Sequence, residues 1–133
     1  MYYCTDTWFV LKLFHEDEKA LNIVKNVREG KDWLFIPFTV FAETFKKLMQ
    51  LGIPKKTIDE FFDIIEAYAK IRFIMLDKNI AKEAASISLT YKVPLLDSFV
   101  AATSKICECH ILLSGDRDYA LLAKNKYLKV QSW

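Results

Sequence analysis

The sequence predicts an α/β fold in which a central, mostly parallel sheet is covered by helices on both faces. Two observations carry that expectation. Short runs rich in apolar, β-branched and aromatic residues alternate along the chain with longer stretches whose apolar residues recur at helical spacing, the pattern of parallel strands joined by crossover helices. One of the short runs, Trp33-Leu-Phe-Ile36, is apolar at every position, as a strand buried on both faces requires.

The elements follow in order. Tyr2 to Thr5 is a first strand that ends at Asp6. Thr7 to Phe14 and Asp17 to Glu29 are helical, the second carrying the apolar stripe Ala20, Ile23, Val24 and Val27 and stopping at Gly30. Pro37 breaks the Trp33–Ile36 strand, and Thr39 can then cap a helix that runs through Leu51 to a stop at Gly52. Pro54 opens a helix in which Ile58, Phe61, Phe62 and Ile65 follow the i, i+3, i+4, i+7 rule. Ile71 to Leu76 reads as a strand, and Asp77 as the cap of a helix with Ile80, Ala84, Ile87 and Tyr91 on its apolar side. After the short apolar run Val93 to Leu96, Asp97 begins a helix rich in small residues, Ala101-Ala102-Thr103-Ser104. Ile111 to Leu113 is a strand, Asp116 to Lys124 a short helix, and Leu128 to Gln131 the last strand.

With 133 residues, 53% of them hydrophobic, and only three glycines and three prolines, the chain suits a single domain over residues 1–133 with a substantial core. The net charge of +2 is too small to advertise nucleic-acid binding through bulk electrostatics, although 19 basic and 17 acidic residues leave room for strong local patches. The apolar start has no basic region before it and is interrupted by Asp6, which argues against a signal peptide. The longest apolar run, Trp33 to Ala42, is broken by Pro37 and too short to span a bilayer, so a cytoplasmic protein without membrane contact is expected. Cys4, Cys107 and Cys109 are too few and too close for a disulfide framework, and with only His15 and His110 beside them they do not make a zinc site.

Four carboxylates carry the chemistry. Asp6, Glu43, Asp97 and Asp116 stand in Tyr-Cys-Thr-Asp-Thr, Phe-Ala-Glu-Thr-Phe, Pro-Leu-Leu-Asp-Ser and Leu-Leu-Ser-Gly-Asp-Arg-Asp, each where an apolar stretch begins, ends or is interrupted. Burying an acid is expensive unless its charge is compensated, and a divalent cation is a compensator four acids can share. Carboxylates about 4 Å apart repel by roughly 1 kcal/mol in water and several-fold more near a protein surface. In open α/β sheets, sites form beyond the carboxyl ends of strands, where Asp6 and Asp116 are expected. Each acid also has a structural alternative: Asp97 can cap its helix, Glu43 can be a solvated helix residue, and Asp116 with Asp118 can cap a short terminal helix.

In their order, Asp6-Thr7 after a first strand, Phe41-Ala-Glu43 on a helix, Pro94-Leu-Leu-Asp97-Ser before small residues, and Leu112-Leu-Ser-Gly-Asp116-Arg-Asp118, these segments resemble the PIN-domain ribonucleases, in particular the VapC-type toxins of VapBC toxin–antitoxin modules. The resemblance spans the chain, and the Ser-Gly-Asp-Arg-Asp segment is its most specific part. It implies a three-layer α/β/α sandwich and cleavage of RNA by a water activated by Mg2+ (or Mn2+). It makes Asp6 and Asp97 primary metal ligands, with Glu43 and Asp116 completing the cluster and Ser114 supporting it. Asp118 would tune the acidic pocket or cap its helix. It also implies homodimerisation and inhibition by a small antitoxin protein whose tail occupies the active-site groove.

Among the basic residues, Arg117 is singled out for RNA contact because it is flanked by the acids. Lys46-Lys47, Lys55-Lys56, Lys124, Lys126 and Lys129 are expected mainly on solvated faces. Trp8, Phe9, Phe14 and Phe45 read as packing residues, and His15 and His110 receive no role. A housekeeping PIN nuclease in RNA processing and a non-catalytic acidic-pocket domain are the alternatives. A signalling receiver would want a second acid beside Asp6 and a late-strand Lys, and a haloacid-dehalogenase-type phosphatase an Asp-x-Asp where Asp6-Thr7-Trp8 stands. No glycine-rich phosphate loop, nucleophile elbow or His-Glu-x-x-His motif is present.

Overall fold

A computed structural model describes residues 1–133. Five strands, β1 (Tyr2–Thr5), β2 (Trp33–Pro37), β3 (Ile71–Ile74), β4 (Ile111–Leu113) and β5 (Val130–Gln131), form one sheet in the order β3-β2-β1-β4-β5, every pair parallel. Between them lie α1 (Thr7–Phe14), α2 (Glu18–Arg28), α3 (Phe38–Gln50), α4 (Lys55–Glu66), α5 (Lys78–Tyr91), α6 (Leu95–Ile106), a 3-10 turn (Arg117–Tyr119) and α7 (Ala120–Lys124). None of these helices is long and apolar enough to cross a membrane.

The connections step from β1 to β3 in one direction and return from β3 across to β4 and β5 in the other. Right-handed crossovers therefore place α1 to α4 on one face and α5 to α7 on the opposite face, the three-layer sandwich expected from the sequence. Strand β4 is buried on both faces, whereas in β2 Leu34 and Ile36 are fully enclosed and Trp33 and Phe35, on the other face, are only half-buried. The two-sided burial expected of Trp33–Ile36 therefore holds for one face. The core is a continuous cluster of 28 buried apolar residues.

Register sets the site. Cys4 pairs with Phe35 and Leu112, and Thr5 with Leu113, so the carboxyl ends of β1 and β4 lie side by side. The Asp6 amide donates to Leu113 O at 3.3 Å, tying the two ends together. The chain leaves them toward opposite faces, and the crevice between is the topological switch point of the sheet.

Several local details depart from the sequence expectation. Helix α3 starts at Phe38 with Pro37 at its cap position, so Thr39 does not cap it. Proline fixes φ and has no amide to satisfy, which lets the helix begin directly on the strand end. Strand β3 stops at Ile74, and β5 is confined to Val130–Gln131, because both are edge strands paired on one side only. Asp77 caps α5 as expected, its Oδ1 accepting the Ile80 amide at 2.8 Å.

Leu113 sits at the centre of the sheet with both faces covered, so Leu113→Ala is expected to lower stability by about 2–5 kcal/mol. Leu89→Ala, at a side chain 84% exposed on α5, is expected to change it by less than about 0.5 kcal/mol. Urea denaturation of the two variants beside the parent checks the contrast.

Candidate active site

Each acid reaches the crevice by a different local device. Asp6 follows β1 and caps α1, its Oδ1 accepting the Trp8 amide at 3.0 Å. The Ser114 hydroxyl, just past β4, donates to the other carboxylate oxygen, Oδ2. Ser114 Oγ in turn accepts the Asp116 amide at 3.0 Å, and Asp116 Oδ1 accepts the Asp118 amide at 2.9 Å, starting the 3-10 turn. Asp97 lies in the first turn of α6 but does not cap it: Pro94 holds the cap position, and the helix start is tied by the Ser98 hydroxyl donating to the carbonyls of Val93 and Pro94. Its capping alternative is thereby removed.

Glu43 depends on the packing of α3. Val40, Thr44 and Leu48 are buried, while Phe41 and Phe45 pack against Phe62 of α4, the Phe41 and Phe62 rings 4.2 Å apart. With that side committed to the core, Glu43 and Lys47, one turn apart, fall on the flank facing the crevice. The result is a cavity of about 290 Å³ lined by Asp6, Glu43, Asp97 and Asp116, together with Thr7, Trp8, Leu11, Lys47, Val100 and Gly115. Carboxylates from four separate segments, 110 positions apart at the extremes, share one concavity.

The electrostatics follow from crowding and burial. Burial pushes the Asp6 carboxyl up to about 6, with Asp116 adding to the rise, against the pull of the Ser114 hydroxyl and the Phe9 and Trp8 amides. Asp97 is pushed up to about 7, first by burial, then by a hydrogen bond shared with Asp118, then by the charges of Asp116, Asp118 and Glu43. Oxygens of Asp97, Asp116 and Asp118 all lie within 4.8 Å of one another, a spacing one cation can bridge. Asp118 thus stands nearer the centre of the cluster than the sequence alone suggests, whereas Asp6 and Glu43 line the same cavity at longer range. Hard oxygen donors and the near absence of nitrogen or sulfur among the lining residues fit Mg2+ or Mn2+ better than zinc or copper.

Arg117 is exposed on the 3-10 turn and does not line the cavity. Lys47 does, and it makes no salt bridge. Two further residues of the site are not evident from the sequence. Tyr119 is wholly buried, and the charges of Asp6 and Asp97 join burial in holding its hydroxyl protonated. Gly115 is the surface against which Trp8 rests: a Cβ there would lie 2.7 Å from Trp8 Cε2. The Trp8 indole cannot simply swing away, because it packs edge-on against Trp133 with ring centroids 5.0 Å apart.

Fold and site together define a parallel α/β protein with a carboxylate-lined centre at its switch point. The chain belongs to the PIN domain family of nucleases, whose profile matches residues 3–125. Among solved structures it is similar to VapBC2 from Rickettsia felis, in a complex bound to a promoter DNA fragment, with TM-score 0.76 and 13% identity over 100% of this chain and 99% of that one. It is also similar to VapBC-1 from nontypeable Haemophilus influenzae, with TM-score 0.70 and 16% identity over 100% and 98% of the two chains. A third likeness is to VapC20 from Mycobacterium tuberculosis, described as a sarcin–ricin-loop-cleaving toxin, with TM-score 0.68 and 14% identity over 90% and 93%. At these identities the likeness is one of fold. No curated protein matches the sequence.

Two outcomes follow from this geometry. Between pH 4 and 7 the folded protein holds protons on Asp6 and Asp97 that the unfolded chain, with ordinary carboxyls, has already released, so stability falls as pH rises through that window. For Asp6, a rise from 3.8 to about 6 corresponds to about 3 kcal/mol at most. Urea midpoints measured from pH 4 to 8 without divalent ions should decline, and Asp6→Asn should flatten the decline. Gly115→Ala should displace Trp8, lower stability by about 1–3 kcal/mol and shift the tryptophan emission.

Proposed function

We propose that the protein is a metal-dependent endoribonuclease, a single PIN-like domain over residues 1–133, acting as the toxin of a toxin–antitoxin pair. One observation carries the reading: the four acids singled out from sequence line a single cavity at the switch point of the sheet. The family match and the toxin–antitoxin complexes among the structural neighbours support it.

Asp97, Asp116 and Asp118 would hold Mg2+ or Mn2+, with Asp6 and Glu43 completing the set directly or through water. When bound, such an ion supplies water activation and offsets charge on the phosphodiester. The chain's own residues do the positioning. Ser114 and the Trp8 amide each take one oxygen of Asp6, fixing the carboxylate plane while leaving lone pairs toward the cavity. Burial and the neighbouring acids hold the Asp97 carboxyl up to about 7, so a bound cation would favour its charged form. Lys47, on the α3 wall, offers an ammonium to a backbone phosphate. A small antitoxin protein, a homodimeric state and a cytoplasmic location complete the proposal.

Purified protein should cleave RNA with Mg2+ or Mn2+ and stop on addition of EDTA, and Asp6→Asn or Asp97→Asn should slow cleavage by on the order of 100-fold or more. Conditional expression should arrest growth for the parent and not for either variant. Equal behaviour of all three would count against the proposal.

A further inference from the structure

The acidic cavity is not closed. Trp8 and Leu11, which form part of its wall, also line a second concavity of about 450 Å³ whose remaining residues are Lys12, His15 and Asp17. Trp8 and Leu11 border both, so the two concavities together give a trench-like surface that leads from the carboxylates along α1. Trp8, Leu11, Lys12 and His15 are spaced to share one side of that helix, and from Asp6 to His15 the helix covers about 13 Å.

Its chemistry changes in a fixed order along that length: carboxylates, then an indole and an isobutyl group, then an ammonium and an imidazole. The wall is rigid, because Trp8 rests on Gly115 and against Trp133. Asp17, the acid at the far end, is already engaged: its Oδ1 accepts the Ala20 amide at 3.0 Å and the Trp133 indole N–H at 2.9 Å. Lys12 is held only at long range, 3.8 Å from Asp17 Oδ2 and 4.9 Å above the Trp8 ring, and His15 is exposed. Such interactions are weak enough to exchange for a phosphate.

We infer that this trench is the subsite for the nucleotide adjoining the scissile phosphate: its base lies against Trp8 and Leu11, and its outer phosphate meets Lys12 and His15. The inference deepens the nuclease reading and rests on it. A base can use that wall only if its face is free, so the substrate is RNA unpaired next to the cleavage point. The trench also makes Trp8 and Leu11 the residues that choose among bases there.

The test uses an oligoribonucleotide with one mapped cleavage point, shortened nucleotide by nucleotide from each end. For the parent protein, removing the trench nucleotide should raise KM by about tenfold, for one end of the RNA and not the other. The Lys12→Gln/His15→Gln protein, altered at surface positions, should show the same rise on the full-length RNA, in KM rather than kcat, and should converge with the parent on the shortened RNA. Its log KM should also depend less steeply on log salt, by about 0.7 for each phosphate that is no longer neutralised. If the double variant matches the parent at every length while Asp97→Asn abolishes cleavage, the trench assignment alone is overturned. A loss that ignores RNA length also overturns it, and if no RNA is cut by the parent, both readings fall.

Discussion

Like charges forced together at one edge of the sheet are the constraint to which the rest of this protein answers. Five carboxylates, Asp6, Glu43, Asp97, Asp116 and Asp118, surround or border one small cavity. Their repulsion would open the crevice if nothing opposed it. The fold opposes it with backbone dipoles. Asp6 caps α1, Asp116 caps the 3-10 turn and Asp97 lies in the first turn of α6, so three of the acids sit where helical amides present partial positive charge. The parallel sheet supplies part of this arrangement: α1 and the 3-10 turn follow β1 and β4 directly, and α6, which leads into β4, begins at the same rim.

The interior makes the arrangement rigid. Asp6 is joined to a strand whose Cys4 and Thr5 are fully buried, and Ser114 to a strand buried on both faces. Glu43 is fixed from the side, through the phenylalanine cluster that locks α3 onto α4 and β3. Asp97 is fixed by the small residues behind it: Ala101, Ala102, Thr103 and Ser104 are almost wholly buried and let α6 lie close over β1 and against α5. Mobility in any of these supports would relax the acids apart and remove the cavity.

Most of the fold was legible because the chain alternates its two periodicities cleanly. The uninterrupted run Trp33–Ile36 and the stripe Ala20, Val24, Val27 each point to one kind of element, and both form as expected. What failed to show were features that depend on three-dimensional closeness. Thr39 has the chemistry of a cap, but Pro37 ended the strand so abruptly that the helix began before it. Asp97 looked like a cap because capping is an acid's usual local role, and only the neighbouring Pro94 and the Ser98 back-bond displace it. The four acids were readable as a set, since each interrupts apolar sequence, but the pairing of Asp97 with Asp118 required the 3-10 turn to fold one acid back. His15 and Lys12 were unreadable for a different reason: a trench belongs to no single segment, and the spacing from Trp8 to His15 was its only trace.

The segment Ser114-Gly115-Asp116 shows why one short motif was the most informative part of the chain. Three consecutive residues there do three unlike jobs: Ser114 orients Asp6 across from β1, Gly115 leaves room for the Trp8 indole, and Asp116 both lines the cavity and starts the turn that brings Asp118 back. A hydroxyl, an absent side chain and a short carboxylate are each needed for a separate physical reason, and none substitutes for another. Trp8 and Asp6 are near neighbours on the chain and both are held by this segment, so the charge of the centre and the shape of its entrance are set together. A change that disturbed either would be felt in the other, because the same strand end supports the acid and the wall.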